Sequence, residues 1–336
     1  MKRPFVQWVE FWDRREPAHA LALVRIFVAL VFLWDFATVL RFGIVDALWA
    51  TVDDGGIGPA THAAPVSWIY RALGASAGVT HLLFAIACLS SLSLLLGMFT
   101  RSSAAVLVLA YAQLARLQPD ADRGIDTLLR NVLIVLAFSA AGKTLSLDAK
   151  LFRGRYVQTD PYPAWPRYLI ILQLMLLYFW AGMLKQSPPW TSLGDYSALY
   201  VILSQPHYST FALPPGVLQV VYPLLQASTF LTIVFERGAI ALPLLLWWRA
   251  TAERGGKVRT LANRARLLEL WVGTGVVFHL GLAAAMELGI FPWGCLALYP
   301  ALASPYTLAK WYERARERVL RLRPVEAEAS RKDRVA

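Results

Sequence analysis

Ionisable side chains interrupt several strongly apolar stretches of this sequence, and they are the residues whose types could do chemistry. Lys185 ends one such stretch, His279 lies in the middle of another, and Glu236 is followed directly by Arg237 in a third. A lysine held in an apolar pocket loses stabilisation of its charge, and the free amine can then serve as a general base. A neutral histidine can donate a hydrogen bond or relay a proton. These side chains predict acid–base chemistry inside or at the edge of a bilayer.

Each of these positions also has a purely structural interpretation, and the sequence alone leaves both open. A lysine at the end of an apolar helix commonly extends its amine to the membrane interface, although a lysine at the outer end runs against the usual charge bias. A histidine in such a helix is often a hydrogen-bonded packing residue. Because neighbouring residues point in different directions on a helix, Glu236 and Arg237 cannot simply neutralise each other. We expect at least one of them to find a partner on another helix.

Four further charges within the apolar stretches are predicted to be structural. Asp126 and Arg130 are spaced i, i+4 with the carboxylate first, which is the favourable order for an ion pair within one helix. Arg25 and Asp35 flank the core of the first apolar stretch. Because an intramembrane charge is costly unless it is paired or solvated, each of these side chains is expected to have a partner.

Several other kinds of chemistry find no support in the sequence. It contains no phosphate-binding P-loop, no HExxH pattern and no CxxC pair, so no metal site is predicted. Cys88 and Cys295 lie in separate apolar stretches, where they are expected to be small packing residues. The net charge of +11 comes from lysines and arginines between the apolar stretches. Basic residues distributed in this way set membrane topology and do not form a single surface that could bind nucleic acid. No nucleic-acid partner is therefore expected.

The elements that position these residues are predicted to be membrane-spanning helices. Of the 336 residues, 57% are hydrophobic and only 16% are charged, whereas soluble proteins carry roughly a quarter charged residues. A spanning helix needs about 20 mostly apolar residues. We predict an all-α fold, a polytopic transmembrane helical bundle of about eight membrane segments at 20–40, 79–100, 103–118, 125–142, 166–185, 216–248, 267–287 and 288–309.

Some of these segments depart from a simple span. Segments 103–118 and 125–142 are short, and 216–248 is long enough to be strongly tilted. Three prolines interrupt segment 288–309, which predicts a broken or re-entrant segment.

Lysine and arginine are concentrated in certain connections, which predicts the orientation of the bundle. The N-terminal arm and the loops at 143–166 and 249–266 are basic, whereas the loop at 186–215 carries neither lysine nor arginine. Placing the basic loops in the cytoplasm puts the N-terminus and the basic C-terminal tail inside. It also puts Lys185 at the outer leaflet. The expected location is the cell inner membrane, with the lipid bilayer as the first partner.

A short amphipathic arm is predicted before the first membrane segment. Phe5, Trp8, Val9 and Trp12 share one face of a helix beside several basic residues, a pattern typical of a helix lying on a membrane surface. The predicted divisions of the chain are an interfacial arm at 1–18, a transmembrane domain at 19–309 and a basic tail at 310–336.

Several short motifs, in matching order and spacing over about residues 20–305, resemble the vitamin K-dependent γ-glutamyl carboxylases. The stretch Tyr178-Phe179-x-Ala181-Gly182-x-x-Lys185-x-x-x-x-Trp190 resembles the segment that holds the family's base lysine. The further matches are Phe278-His279 with Leu288-Gly289-Ile290-Phe291, Leu21-x-x-x-Arg25 through Asp35, Leu96-Gly97-x-x-x-Arg101, and Ser146-x-Asp148. The chain is similar in particular to the bacterial branch called HTTM proteins, which is related to the membrane domain of the carboxylase.

The resemblance implies an activity and a set of site residues. In that family a reduced vitamin K hydroquinone reacts with oxygen to give a strong alkoxide base. That base removes a proton from a glutamate γ-carbon, and carbon dioxide adds. By resemblance Lys185 is the catalytic base that deprotonates the hydroquinone, and His279 is a second catalytic residue that lines the same site. The expected pocket-lining residues are Tyr178, Trp190, Glu236 and Phe291. The implied cofactor is a reduced vitamin K or menaquinol-type quinone, and the implied partner is a protein or small-molecule carboxylation substrate.

The chain also departs from the carboxylase pattern. The family's large extracytoplasmic domain is not expected here, and Lys143 stands where the animal enzymes carry a histidine. The family's C-terminus lies outside, in contrast to the orientation argued from the basic tail. The alternative functions are a non-enzymatic membrane module, a transporter or a scaffold that keeps the fold. An enzyme requires Lys185 to be buried and close to His279 or Glu236, whereas a scaffold lets Lys185 point into the headgroups.

Overall fold

The predicted all-α architecture is confirmed by the structure, a computed structural model that describes residues 4–57, 68–74, 76–118, 121–211 and 213–322. The helices are α1 (Pro4–Trp12), α2 (His19–Phe42), α3 (Val45–Trp49), α4 (Trp68–Leu73), α5 (Ala77–Leu96), α6 (Thr100–Leu117), α7 (Gly124–Ala137), α8 (Leu147–Arg153), α9 (Trp165–Leu184), α10 (Ala198–Leu203), α11 (Pro215–Val220), α12 (Tyr222–Gly238), α13 (Leu242–Ala250), α14 (Lys257–Arg264), α15 (Leu267–Ala285), α16 (Phe291–Leu296) and α17 (Pro305–Leu322). Short 3₁₀ turns occupy Val52–Asp54, Pro188–Trp190, Ser192–Gly194, Ala239–Ala241, Ala252–Arg254 and Tyr299–Leu302. The strands β1 (Arg15–Pro17) and β2 (Pro161–Pro163) form a small antiparallel pair.

Among the described residues, five helical stretches are long and apolar enough to cross a membrane. They are α2, α5, α9, the continuous stretch Tyr222–Ala250 and α15. The stretch Tyr222–Ala250 comprises α12, a 3₁₀ turn and α13, and its 29 residues confirm the prediction of one long segment. Helices satisfy their own backbone hydrogen bonds, which is what a bilayer demands of any segment that spans it. The chain is therefore a polytopic membrane protein.

The remaining three predicted segments are helical but do not meet the criteria for a simple span. Helix α6 has 18 residues and carries an arginine near each end, and α7 has only 14 residues. The last predicted segment divides into α16, the 3₁₀ turn Tyr299–Leu302 and the start of α17. Because proline lacks an amide hydrogen and fixes its backbone, the three prolines divide this segment. The prediction that it is broken is confirmed.

Aromatic rings form the core between the first helices. Phe36 of α2 meets Phe84 of α5 edge to face, with the ring centroids 5.4 Å apart. Phe32 and Phe36 both pack against Tyr111 of α6, at 5.2 and 5.7 Å. Such edge-to-face pairs add to the energy of area burial, and they hold α2, α5 and α6 together.

Three distant parts of the chain meet at one end of the bundle. Glu16 in β1 forms a buried ion pair with Arg167 at the start of α9. A second nitrogen of Arg167, Nη1, donates to the carbonyl oxygen of Ala301 at 2.8 Å. We call these three residues the clasp. It ties the N-terminal arm, α9 and the broken last segment to one another.

The predicted interfacial arm is helical, as α1. Phe11 stacks on Tyr168 of α9, with ring centroids 4.5 Å apart and planes 11° apart. Of the four side chains predicted to share one face, Val9 is exposed, and those of Phe5 and Trp8 lie outside the described part of the structure. The fourth, Trp12, meets the Tyr168 ring edge to face with the centroids 5.9 Å apart. The arm therefore contacts the bundle through Phe11 and through Trp12 of the predicted face.

The C-terminal tail begins as a continuation of the bundle. Helix α17 runs without a break across the predicted division between residues 309 and 310 and ends at Leu322. The rest of the predicted tail, 323–336, lies outside the described residues. Within the described range the tail starts as helix that packs at the clasp end, where the Tyr306 hydroxyl donates to the carbonyl oxygen of Arg15 at 3.0 Å.

Candidate functional site

Lys185 follows the last residue of α9 and meets Glu236 of α12. Its Nζ atom lies 2.7 Å from each carboxylate oxygen of Glu236 and 3.4 Å from the carbonyl oxygen of Ala181. The lysine side chain is 23% exposed and the glutamate side chain 6%. Lys185 therefore turns toward a buried acid and not outward. The expectation that Glu236 finds a partner on another helix is confirmed.

Arg237 points away from Glu236 and binds the backbone at the end of α9. Its Nε donates to the carbonyl oxygen of Gly182 at 3.0 Å, and its Nη2 donates to that of Lys185 at 3.4 Å. The last carbonyls of a helix have no partner within the helix and carry partial negative charge. A cation at this position satisfies them, so the two neighbouring charges of α12 serve two different partners.

Gly182 lets α9 and α12 approach each other closely beside the ion pair. A Cβ atom at this position would lie 2.9 Å from the Cβ of Glu236 and 3.0 Å from the backbone nitrogen of Arg237. These atoms belong to the backbone or to the first side-chain carbon, and they cannot swing away. The small residue therefore sets the helix spacing that brings Glu236 within hydrogen-bond distance of Lys185.

An aromatic ring lies beside the lysine amine. The Nζ atom of Lys185 lies 5.2 Å from the centroid of the Trp190 ring, a distance at which a cation is attracted to the ring face. Trp180, Leu184 and Leu193 are exposed nearby in the sequence, and in a bilayer such surfaces face acyl chains or the interface. We call Lys185, Glu236 and Trp190 the mouth cluster.

A chain of hydrogen-bonded side chains lies deeper in the bundle. The hydroxyl oxygen of Tyr178 lies 3.1 Å from His279 Nε2 and 3.2 Å from the hydroxyl oxygen of Tyr299. The Nδ1 atom of His279 lies 2.7 Å from the carbonyl oxygen of Gly275. Because a carbonyl can only accept, Nδ1 carries the hydrogen, and Nε2 of the neutral ring accepts from Tyr178. Tyr299 then donates to Tyr178, and both nitrogens of His279 are occupied. We call Tyr178, His279 and Tyr299 the relay cluster.

Aromatic rings enclose the relay cluster. Phe235 stacks on Trp271 with centroids 4.6 Å apart, and it meets the Tyr178 ring at 5.1 Å. Phe291 lies 6.3 Å from the His279 ring. His279 and Tyr178 are fully buried. Phe291, predicted to line the site, therefore lies beside the histidine ring.

The structure divides the six predicted site residues into two groups. The mouth cluster holds Lys185, Glu236 and Trp190, and the deeper group holds Tyr178, His279 and Phe291. Tyr178 and Lys185 are seven residues apart in sequence, so they share one face of α9 at an axial separation of about 10 Å. Among the described residues, no hydrogen bond joins Lys185 to His279. One helix face therefore connects the two groups without bringing them into contact.

Asp126 and Arg130 do not pair with each other, so that predicted ion pair is wrong. Asp126 accepts from the backbone nitrogen and from Nε of Arg123, both at 2.9 Å, as part of a capping box at the start of α7. Arg130 forms a two-point pair with Asp122, with both distances 2.6 Å. The turn that precedes α7 offers each charge a partner with better geometry than the helix itself does.

The charges of the first span also find partners other than each other. Asp35 accepts from two nitrogens of Arg123, at 2.6 and 3.1 Å. Nη2 of Arg25, a fully buried residue, donates to the carbonyl oxygen of Leu145, and no ion pair of Arg25 is formed within the described ranges. The prediction of a charge pair is therefore corrected for Arg25, whose partner is a backbone carbonyl.

The sequence analysis missed Tyr299 and the stacked pair of Phe235 and Trp271. Tyr299 lies in the proline-broken segment, whose position relative to α15 cannot be set from periodicity. One signal was present, because a glycine inside a helix indicates a close approach, and Gly275 lies one turn before His279. A Cβ atom at Gly275 would lie 2.0 Å from the Tyr299 hydroxyl oxygen.

The comparison with family models covers nearly the whole chain. The model of the HTTM domain matches residues 13–306. The chain belongs to the HTTM domain family. No curated protein and no solved structure gives a significant match. The matched range of this HTTM protein includes the clasp, the mouth cluster and the relay cluster, so all three lie within the family's domain. Among the residues described, no group of three or more histidine, cysteine, aspartate or glutamate side chains is placed to hold a metal ion.

Proposed function

We propose that this HTTM-family membrane protein is a vitamin K-dependent carboxylase- or epoxidase-like enzyme that acts on a reduced, hydrophobic quinone at the outer leaflet of the cell inner membrane. Lys185 is the base. The observation that carries the proposal is the mouth cluster, in which a largely buried amine has an acid partner 2.7 Å away and an aromatic ring beside it. The proximity of Lys185 to Glu236 supports the enzyme, and the Lys185 side chain is 23% exposed.

The side chains of the mouth cluster fit a reduced quinone as the bound group. Trp190 presents a flat ring for stacking, and the exposed side chains of Leu184 and Leu193 offer apolar surface for a hydrocarbon tail. Lys185 Nζ is the atom that would hold a quinol hydroxyl. When bound, the hydroquinone supplies a transferable hydroxyl proton and the reducing electrons for a reaction with oxygen.

Glu236 gives Lys185 a way to become a free amine. An ammonium and a carboxylate removed from water both lose solvation. A hydrophobic substrate that displaces water from the mouth therefore favours the form in which the proton resides on Glu236. Lys185 is then ready to accept the hydroxyl proton of the substrate, and the Trp190 ring beside the amine shields it on one side.

His279 is assigned a positioning role in this proposal. Both of its ring nitrogens are occupied, by the carbonyl oxygen of Gly275 and by the Tyr178 hydroxyl. Through Tyr178 it fixes the face of α9 that also carries Lys185. His279 therefore supports the geometry of the mouth cluster from a distance, and it does not exchange a proton with the substrate.

One observation favours the alternative of a non-enzymatic membrane module. Tyr178 and His279 are fully buried, and the hydrogen bonds of the relay cluster are complete without any ligand. A module that only kept the fold would need those interactions for stability and would leave Lys185 and Glu236 as a structural ion pair. The two functions predict different effects of replacing Lys185 on the turnover of a reduced quinone.

The test is oxygen-dependent conversion of a reduced naphthoquinone by the purified protein in detergent or nanodiscs. Lys185→Ala is expected to remain folded and to abolish turnover, and Lys185→Arg is expected to be inactive because guanidinium stays protonated. A small primary amine added to Lys185→Ala should restore part of the turnover, since it replaces the base without replacing any packing.

The matched control is Lys257→Ala, which removes an exposed lysine from a basic loop and should turn over quinol as the parent does. Equal turnover by Lys185→Ala and the parent would remove the base assignment. If the parent converts none of the reduced quinones supplied, the non-enzymatic membrane module replaces the enzyme as the function.

A further inference from the structure

A second site lies at the clasp end of the bundle, away from the mouth cluster. A cavity of about 970 Å³ is enclosed by β1, the starts of α9 and α15, the end of α13 and the first turns of α17. Ligand pockets commonly measure roughly 300–1,000 Å³, so the cavity is large enough for a sizeable molecule. Lys185, Glu236 and Trp190 do not line it. We call it the basic cavity.

Positive charge dominates the lining of the basic cavity. Its charged residues are five arginines and two glutamates, namely Arg14, Arg15, Arg167, Arg249, Arg266, Glu16 and Glu269. Glu16 is held by Arg167 within the clasp, and Glu269 lies 2.6 Å from Arg249 and 4.0 Å from Arg266. In the described part of the chain, Arg14 and Arg15 pair with no carboxylate. Among the residues that the structure describes, the carboxylates that line the cavity therefore leave part of its arginine charge without an acidic partner.

The rest of the lining is apolar. The apolar residues that line it include Leu246, Leu268, Val272, Leu302, Leu308 and Trp311. Trp311 and the neighbouring Tyr306 are exposed, and tryptophan and tyrosine on a membrane protein favour the level of the lipid headgroups. The cavity thus combines a cationic part with an apolar wall at one end of the membrane domain.

We propose that the basic cavity binds one anionic phospholipid, with the headgroup phosphate on the arginines and the upper part of an acyl chain on the apolar wall. Guanidinium groups match phosphate oxygens two at a time, and basic pockets between transmembrane helices are known sites for anionic headgroups. A soluble phosphate would leave the apolar wall in contact with water. A zwitterionic lipid would leave the excess arginine charge without a counter-ion. The charge and the wall together select a lipid with net negative charge.

The experiment measures lipid binding to the full chain in a neutral detergent by native mass spectrometry. Phosphatidylglycerol and phosphatidylcholine with identical acyl chains are compared, with glycerol phosphate as a soluble competitor. Phosphatidylglycerol should bind about tenfold more tightly than phosphatidylcholine. Arg14→Gln/Arg15→Gln should reduce that preference to about twofold, and Arg41→Gln/Arg71→Gln, which removes two exposed charges elsewhere, should leave it unchanged.

A second variant tests the apolar part of the site without altering any charge. Gly273 lines the cavity, and a Cβ atom there meets open space, so the side chain of Gly273→Leu should occupy part of the apolar wall and lower phosphatidylglycerol binding at least fivefold. Gly281→Leu, on the same helix and also with open space around its Cβ, should have no effect. Three results would overturn the proposal: no preference for the anionic lipid, unchanged binding in Gly273→Leu, or displacement of the lipid by an equal concentration of glycerol phosphate, which would indicate a soluble-anion site.

Discussion

Replacing Glu236 with glutamine tests whether the mouth cluster is a coupled charge pair. The change keeps the size of the side chain but removes the negative charge, and the Lys185 amine loses the acid that it contacts through both oxygens. The neighbouring partner that remains is the carbonyl oxygen of Ala181 at 3.4 Å. The variant is therefore expected to fold and to be less stable than the parent.

The size of the effect follows from the burial of the two partners. Removing one partner of a buried ion pair costs about 3–5 kcal/mol. The Lys185 side chain is 23% exposed, so water partly solvates the orphaned amine, and we expect a loss of about 2–3 kcal/mol. An unfolding entropy of about 2.1 cal/mol/K per residue converts this loss to a fall in Tm of roughly 3–4 °C for the 336 residues.

The assay is thermal unfolding in one fixed detergent for the parent, Glu236→Gln, Lys185→Met and the double variant. A double-mutant cycle isolates the pairwise energy, and we expect a coupling of at least about 1.5 kcal/mol. Glu253→Gln, which alters an exposed glutamate, controls for the substitution itself. A coupling below about 0.5 kcal/mol would refute the argument, because it would mean that the two charges are independently solvated.

Three other expectations can be checked directly. A topology reporter fused within 190–212 should report the periplasm and one within 252–264 the cytoplasm; the reverse pattern at both sites would invert the bundle. Gly182→Ala should lower Tm by several degrees, because its Cβ would overlap α12. Gly238→Ala, with open space around its Cβ, should not lower Tm. Equal Tm values for the two variants would show that α12 can shift. Tyr178→Phe leaves a buried histidine nitrogen without its hydrogen-bond partner and should cost about 1–3 kcal/mol in detergent unfolding. An unchanged stability would show that this hydrogen bond does not stabilise the fold.

Much of the fold follows from hydropathy, because length and apolar composition dictate which segments can span a bilayer. The long segment that became α12 and α13 and the broken last segment are both visible in the sequence as a long apolar run and as clustered prolines. The lateral order of the helices is not visible, since nothing in a single helix specifies its neighbour. The structure supplies the contact between α9 and α12 on which the mouth cluster depends.

The candidate site was predictable in its residue types but not in its pairing. The adjacency of Glu236 and Arg237 predicted separate partners, and the structure gives them separate partners. The spacing of Asp126 and Arg130 suggested a pair that does not form, because the turn before α7 brings other charges into better positions. Side-chain pairing depends on turns and on helix packing, and neither produces a periodic pattern in the sequence.

The clasp also constrains when the protein can finish folding. Glu16 and Arg167 are 151 residues apart, and Arg167 and Ala301 are a further 134 residues apart. At a synthesis rate of about 5–20 residues per second, roughly 15–60 s pass between translation of the first and the last of these residues. During that interval the arm and Arg167 lack their final partner, while the earlier helices are already in the bilayer. The clasp can therefore form only after residue 301 has been synthesised, and a chain that stops earlier lacks the contact between Arg167 and the last segment.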